Sequence, residues 1–424
     1  MSSSAEQSFL QAVLDDPDDD LPRLAYADWL DEQGDPRGEL IRVQCELFPL
    51  TEEDERFRPL YKREQTLLKR YKSEWLGPLG RLTQNPKFYR GFVENVQLGS
   101  KQFLARRQKV FSLAPIRVLT ITAMSSKYVS DFVAAEEWTG LRELSLSIRE
   151  MTVQEWRELM TASQMKSLQR LRLTWWELDR QLLSFLTELA ARNLHEFEIV
   201  GQTWRNQVDW NSLFASGVFS SLRTFELGIG ELQEDLVDNL LSRSQFPHLE
   251  NLILNSLGSV QPIGQRRLQS IGKHPGLAQL RSLAIQSLGM TMNESIATHL
   301  FPHPESMQLE RLALKGHAVN EDGIRRIAQI PNLKTLKLDI CRLGDECVSI
   351  LADSEQLQSL RILSLTNNEL TDAAAEAILK SPHLSHLLAL DLSQNAISKD
   401  TQTKLRKRFG AGVCTFTSML TPRD

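Results

Sequence analysis

Leu360-Arg-Ile-Leu363-Ser-Leu365-Thr-Asn-Asn368-Glu-Leu370 carries the pattern that decides the architecture. It reads apolar, two variable, apolar, one variable, apolar, followed by an asparagine and another leucine. The same spacing occurs at Val93-Val96-Leu98, Ile116-Leu119-Ile121, Leu141-Leu144-Leu146, Leu168-Leu171-Leu173, Leu194-Phe197-Ile199 and Leu222-Phe225-Leu227. It continues at Leu249-Leu252-Leu254, Leu280-Leu283-Ile285, Leu309-Leu312-Leu314, Leu333-Leu336-Leu338 and Leu387-Leu390-Leu392. Twelve units result, their starts about 27 residues apart. The last three apolar positions alternate with variable ones, as in a strand buried on one face. Between strands the apolar spacing becomes helical: Ile324, Ile327 and Ala328 follow Asp322, Val348, Leu351 and Ala352 follow Asp345, and Ala374, Ala377, Ile378 and Leu379 follow Asp372. Each of these acids suits a helix N-terminus. Strand and helix alternating at this length imply a parallel sheet with helices outside it.

This pattern is the leucine-rich-repeat signature, and residues 93–424 resemble the ribonuclease-inhibitor-like class, whose units end in helices. The resemblance implies an α/β solenoid, a horseshoe with parallel strands inside, helices outside and a C-terminal cap. The extension is clearest late in the chain, where Asn368, Asn395 and Cys341 occupy one position. A small polar group there bonds to the backbone of neighbouring turns, so Cys341 reads as a structural thiol. Earlier units place Met124, Arg149 and Trp176 at that position, and their turns should be less regular.

Residues 1–50 form a separate head. Phe9, Leu10, Val13 and Leu14 make one helical stripe; Leu24, Ala27, Trp29 and Leu30 a second; Leu40, Ile41 and Leu47 a third. Pro17, Pro22, Gly34, Pro36 and Gly38 punctuate them. Three short helices make a marginal core, so the head should dock on the next helix or on the first repeat. The run Asp15-Asp-Pro-Asp-Asp-Asp…Pro22-Arg-Leu…Tyr26-Ala-Asp-Trp-Leu-Asp-Glu-Gln-Gly-Asp-Pro-Arg-Gly-Glu-Leu-Ile41 resembles the bacterial repeat-companion domain. That resemblance implies an association with repeats and no chemical activity. Residues 51–92 then read as a basic connecting helix and N-terminal cap, with Leu60, Glu64, Leu67, Leu68, Tyr71 and Trp75 on one stripe.

Composition narrows the function. The 424 residues carry 49 basic and 54 acidic side chains, a formal charge of −5, with 41% hydrophobic residues. Residues 1–55 hold a net −13 and residues 56–112 a net +11, so the two segments can attract each other. The basic segment, with Tyr61, Tyr71, Trp75, Phe88 and Tyr89 interleaved, also allows nucleic-acid binding. Helical packing accounts for most of those rings, and the acidic head opposes phosphate. No apolar run is long enough to cross a membrane. The opening Met1-Ser-Ser-Ser-Ala-Glu lacks a leader's basic flank and apolar core. Four cysteines (Cys45, Cys341, Cys347, Cys414) without a CxxC pair fit a reducing, cytoplasmic setting.

No P-loop, GxGxxG, HExxH or GxSxG motif occurs, and no cofactor is implied. Asp16, Asp18 and Asp20 alternate like calcium ligands, but Leu21 and Ala27 stand where an EF-hand needs glycine and glutamate. His299 and His303 flank Pro302, and His383 and His386 precede a strand without a third ligand, so no metal site is expected. The expectation is therefore a non-enzymatic scaffold that binds a protein partner of unknown identity on its concave face. The variable strand positions nominate Arg170, Arg172, Glu196, Glu198, Glu226, Arg311, Lys315 and Lys337. Trp175 and Trp204, in loops after strands with Trp176 and Trp210, join them as hot-spot residues. Alternatives from other classes are regulation of a small GTPase and nucleic-acid binding through residues 56–112.

Overall fold

Two hydrophobic periods alternate along the chain, and in the computed structural model the two-residue period forms strands and the helical period forms helices. The structure describes residues 4–148, 151–178, 185–204, 210–229, 236, 239–242, 244–256, 265–287 and 296–416. Two units pack separately: Met1–Trp176 with Glu188–Leu194, and Glu177–Thr187 with His195–Asp424.

The first unit opens with four helices, α1 (Ser4–Asp15), α2 (Leu21–Glu32), α3 (Arg37–Leu47) and α4 (Phe57–Leu76). Five strands come next: β1 (Gln84–Tyr89), β2 (Phe92–Leu98), β3 (Val118–Met124), β4 (Glu143–Ile148) and β5 (Arg170–Leu178). β1 is antiparallel to β2, and β2 to β5 are parallel and paired in chain order. The antiparallel β1 has no counterpart in the repeat pattern. Pro86 and the positive φ of Asn85 (45°) break its alternation, which hides it from a period-two search. Register aligns Val96, Leu119, Leu144 and Leu171, all buried, and each contributes about 1.5–3 kcal/mol. The irregularity expected at Met124 is a register shift between β3 and β4.

The head packs on β1 and β2 within this unit. Its core joins Val13, Tyr26, Ala27, Leu30 and Ile41 to Phe92, the first residue of β2. A buried charged cluster lies beside it. Arg23 is fully buried and pairs with Glu94 at 2.7 Å, while Arg90 reaches Glu94 at 3.3 Å and Asp20 at 3.1 Å. Asp18 spans two successive repeats, bonding Arg117 at 2.8 Å and Arg142 at 2.6 Å. Burial raises the Glu94 carboxyl above its ordinary range, against the pull of Arg23 and Arg90. The acids of the head and the bases after it thus meet in specific pairs, Glu39 with Arg63 among them. Gln44 adds a neutral link, donating to Glu64 at 2.7 Å and accepting from the Gly91 amide at 2.7 Å. That bond explains a carboxylate on the apolar stripe of α4. Gly91 has φ +84°, and a Cβ there would lie 2.1 Å from the Ile41 side chain.

The second unit holds β6 (Glu196–Trp204), β7 (Thr224–Ile229), β8 (Asn251–Ser256), β9 (Ser282–Ser287) and β10 (Arg311–Lys315). It continues with β11 (Thr335–Asp339), β12 (Ile362–Ser364), β13 (Ala389–Asp391) and β14 (Cys414–Thr415), parallel and paired in order. The two-residue β14 extends the ladder beyond the last sequence match. Helices Glu321–Ile327, Asp345–Ala352 and Asp372–Lys380 occupy the expected connections. Their side-chain caps come from the preceding residue where it can accept: Asn320 from the Gly323 amide and Thr371 from the Ala373 amide. The first-turn acids serve the next unit instead. Asp345 accepts from the Thr371 amide at 2.8 Å and Asp372 from the Ser398 amide at 2.8 Å.

The Asn368 side chain donates to the carbonyls of Leu338 (2.8 Å) and Leu365 (2.9 Å) and accepts from the amides of Cys341 (2.8 Å) and Leu343 (3.1 Å). Asn395 repeats this one unit on, donating to Leu365 at 2.8 Å and accepting from the Asn368 amide at 3.0 Å. The Cys341 thiol donates to the Leu314 carbonyl at 3.3 Å, and burial pushes it up to about 12, the state of a structural thiol.

Candidate partner-binding faces

Side chains between the buried leucines point to the opposite face of each strand. In the first unit, register places Gln97, Thr120, Ser145 and Arg172 in one row across β2 to β5. Asn95, Val118, Glu143 and Arg170 form a neighbouring row. Arg170 and Arg172 are exposed, with Arg170 3.8 Å from Glu143. At the β1 end of this face lies a cleft of about 300 Å³, lined by Lys72 of α4, Asn85 and Lys87 of β1, Asn95, Gln97 and Thr120. Lys72, Asn85 and Lys87 are invisible to the repeat pattern because they precede its first unit. The signal that could have found the two lysines is the basic excess of residues 56–112, which contains both.

In the second unit the row begins Glu198, Glu226, Ile253, Ala284, Ala313 and Lys337. Glu198 is 4% exposed, which separates it from the other nominated residues: a partner meets little of it. Glu196 and Glu226 are half-buried, and Glu226 accepts from Asn255 at 2.7 Å. Arg311, Lys315 and Lys337 are half-buried on β10 and β11, beside Asp339. Asp339 accepts from the Ser364 hydroxyl at 2.6 Å and the Thr366 amide at 3.1 Å, so its acceptor sites face its own neighbours. Along the strand entrances charges alternate. Arg223 pairs with Glu250 at 2.8 Å, and Glu310 pairs with Arg281 and Lys334, each at 2.7 Å. The hydrogen bond from Lys334, with Arg281 assisting, holds the Glu310 carboxyl below its ordinary value.

The tryptophan expectation needs correction. Trp175 and Trp176 lie within β5 and Trp204 ends β6, because the strands there run longer than the three-position pattern; none is in a loop. The side chains of Trp175 and Trp204 fall outside the described residues. Trp210 is 1% exposed and opens the helix Trp210–Ala215, stacked on Phe214 at 5.6 Å, so it is core.

The rings of the basic segment are likewise engaged in packing. Tyr71 stacks on Trp75 at 5.1 Å, Trp75 meets Phe88 edge-on at 6.5 Å, and Phe57 stacks on Tyr61 at 5.8 Å. Asp18 and Asp20, the alternating acids that invited a calcium reading, are matched by Arg117, Arg142 and Arg90. Among the described residues no group of three or more His, Cys, Asp or Glu side chains could hold a metal, and no helix is long and apolar enough to cross a membrane.

These strands and connections define the leucine-rich-repeat fold. A profile described as Leucine Rich repeat matches residues 356–379 and 383–400, where the asparagine ladder is most regular. No curated protein matches the chain. Similar solved structures include an internalin of Listeria monocytogenes (16% identity, 73% of this chain and 75% of that one, TM-score 0.33). A leucine-rich-repeat protein of Leptospira interrogans matches at 16% identity over 76% of this chain and 75% of that one, TM-score 0.37. A chain of the yeast Rad7–Elc1 complex matches at 16% identity over 86% of this chain and 94% of that one, TM-score 0.41. At such identities and scores, the fold assignment rests on the strand register itself.

Proposed function

We propose that this chain is a non-enzymatic scaffold that binds a protein partner on the concave strand face of its leucine-rich repeats. Leucine-rich-repeat proteins generally act as protein-interaction scaffolds. The observation that carries the reading is the strand face itself. Apart from Glu198, the side chains named above opposite the leucines are half-buried or exposed and change chemistry from strand to strand, from Thr120 and Ser145 to Arg172, and from Glu226 to Lys337. Such a face offers varied hydrogen-bonding and charged groups on a rigid backbone, which is what selective recognition needs. The helix-bearing connections support the ribonuclease-inhibitor-like class. Residues 51–92 act in this reading as the connecting helix and N-terminal cap, on which the head of residues 1–50 docks with its core closed by Phe92. Four cysteines without disulfide bonds support a cytoplasmic setting.

The test is partner capture from the native cell with charge-reversed chains. Arg172→Glu and Lys337→Glu change one exposed and one half-buried side chain without touching the leucine stack. At least one should reduce recovery of the partner about tenfold at an unchanged melting temperature. Full recovery by both variants places the binding surface elsewhere.

A further inference from the structure

Resting on the scaffold reading, we propose that the strand face of the first unit takes an extended acidic peptide segment of a partner, laid across β1 to β5. Three features converge on this occupant. At one end the cleft presents Lys72 and Lys87 over a floor of neutral amides and a hydroxyl, with no acidic side chain in its lining. Asn85 donates to Gln97 at 2.9 Å, which holds the amide floor in place. At the other end stand the exposed Arg170 and Arg172. Between them Gln97, Thr120 and Ser145 sit in register, one per strand. Amide and hydroxyl side chains both donate and accept, so they can serve a peptide backbone whatever its sequence.

The dimensions agree. Strands lie about 4.8 Å apart, so the row from β1 to β5 is roughly 19 Å long. An extended chain rises about 3.3 Å per residue, so a segment of about six residues spans it with acids at both ends on cations. Glu143 is the one acid in the two rows, and Arg170 lies 3.8 Å from it. A nucleic acid fits the same cations less well: the rows hold no aromatic side chain to stack a base, and the nearby rings pack on one another.

Fluorescence anisotropy on the full chain tests this with a labelled Glu-Glu-Ser-Gly-Glu-Glu peptide, the same peptide with glutamine for glutamate, and a twelve-nucleotide oligothymidylate. The glutamate peptide should bind, weakening as salt rises from 50 to 500 mM. The glutamine peptide and the oligonucleotide should bind at least tenfold more weakly. Joint Lys72→Glu and Lys87→Glu, and separately Arg172→Glu, should each weaken the glutamate peptide at least tenfold, with Lys407→Glu, an exposed change on the helix Lys399–Phe409, as an unaffected control. If the reversed pair fails to fold by circular dichroism, Lys72→Ala alone should weaken binding about threefold. Absent binding, equal binding of the glutamine peptide, tighter binding of the oligonucleotide, or indifference to the lysine changes would each overturn the proposal. A captured partner lost with Arg172→Glu yet retained by the lysine variant would overturn only the acidic-peptide assignment and leave the scaffold reading standing.

Discussion

His317 shows what the ladder position demands of a single residue. It stands three residues after Leu314, where later units use Cys341, Asn368 and Asn395, and it is 4% exposed. Its Nε2 is buried without a hydrogen-bond partner among the described residues, and burial lowers the imidazole to about 4. The unfolded chain takes up the proton near pH 6.5 and the native chain only near 4. The native state therefore keeps its full stability above 6.5 and loses it as pH falls through that window, by about 1.4 kcal/mol per pH unit. Urea denaturation should show His317→Asn gaining about 2 kcal/mol on the parent between pH 7 and pH 5. A pH-independent difference would mean that the native imidazole takes up its proton as the unfolded chain does, so that burial does not hold it neutral. The small polar residue wanted here was legible in Asn368 and Asn395. Histidine at the same place was not, because its orphaned nitrogen depends on the packing of neighbouring turns.

At the scale of the element, each unit is completed by the next. Asn368 ties the turn after β11 to its own, Asn395 repeats the link, and Asp345 and Asp372 reach forward to the start of the next helix. Asn368→Ala removes the acceptor of two backbone amides and the donor to two carbonyls. It should cost about 2–3 kcal/mol, read as a shift of the denaturation midpoint, with the signal from residues after β11 lost first in hydrogen exchange. The strands and helices were readable here because their periods differ and their boundaries fall at polar caps. β1 was not readable, since Pro86 and the positive φ of Asn85 erase its alternation, and Lys87 of the cleft was lost with it. The long β5 and β6 were misjudged for the opposite reason: their strands outrun the apolar positions that announce them, so tryptophans inside them resembled loop residues.

At the scale of the whole molecule, each unit owes its integrity to a different device. In the second it is the repeated asparagine and acid bridges; in the first it is a buried ionic cluster around Glu94. Glu94→Gln leaves the fully buried Arg23 facing Arg90 without its carboxylate. This should destabilise the first unit by about 3 kcal/mol or more, measured by urea denaturation, and the head should become sensitive to protease together with β2. Separate loss of the head at an unchanged β2 would show that the cluster is dispensable. The charge succession in the sequence anticipated attraction between the first two segments. It could not anticipate that Asp18 reaches past them to Arg117 and Arg142, because nothing local to Asp18 encodes a partner about a hundred residues away.

Phe92 has a bearing on portability. Because the head borrows this ring from β2, and because Gly91 leaves no room for a methyl beside Ile41, the head is not a cassette that can be cut at residue 50 and grafted elsewhere. A transplant would have to bring the hairpin of residues 84–98 with it, and the host would need arginines at the sites of Arg117 and Arg142 to receive Asp18. Inheritance of the two pieces is therefore coupled: a lineage that exchanged one without the other would start from an unsealed first coil.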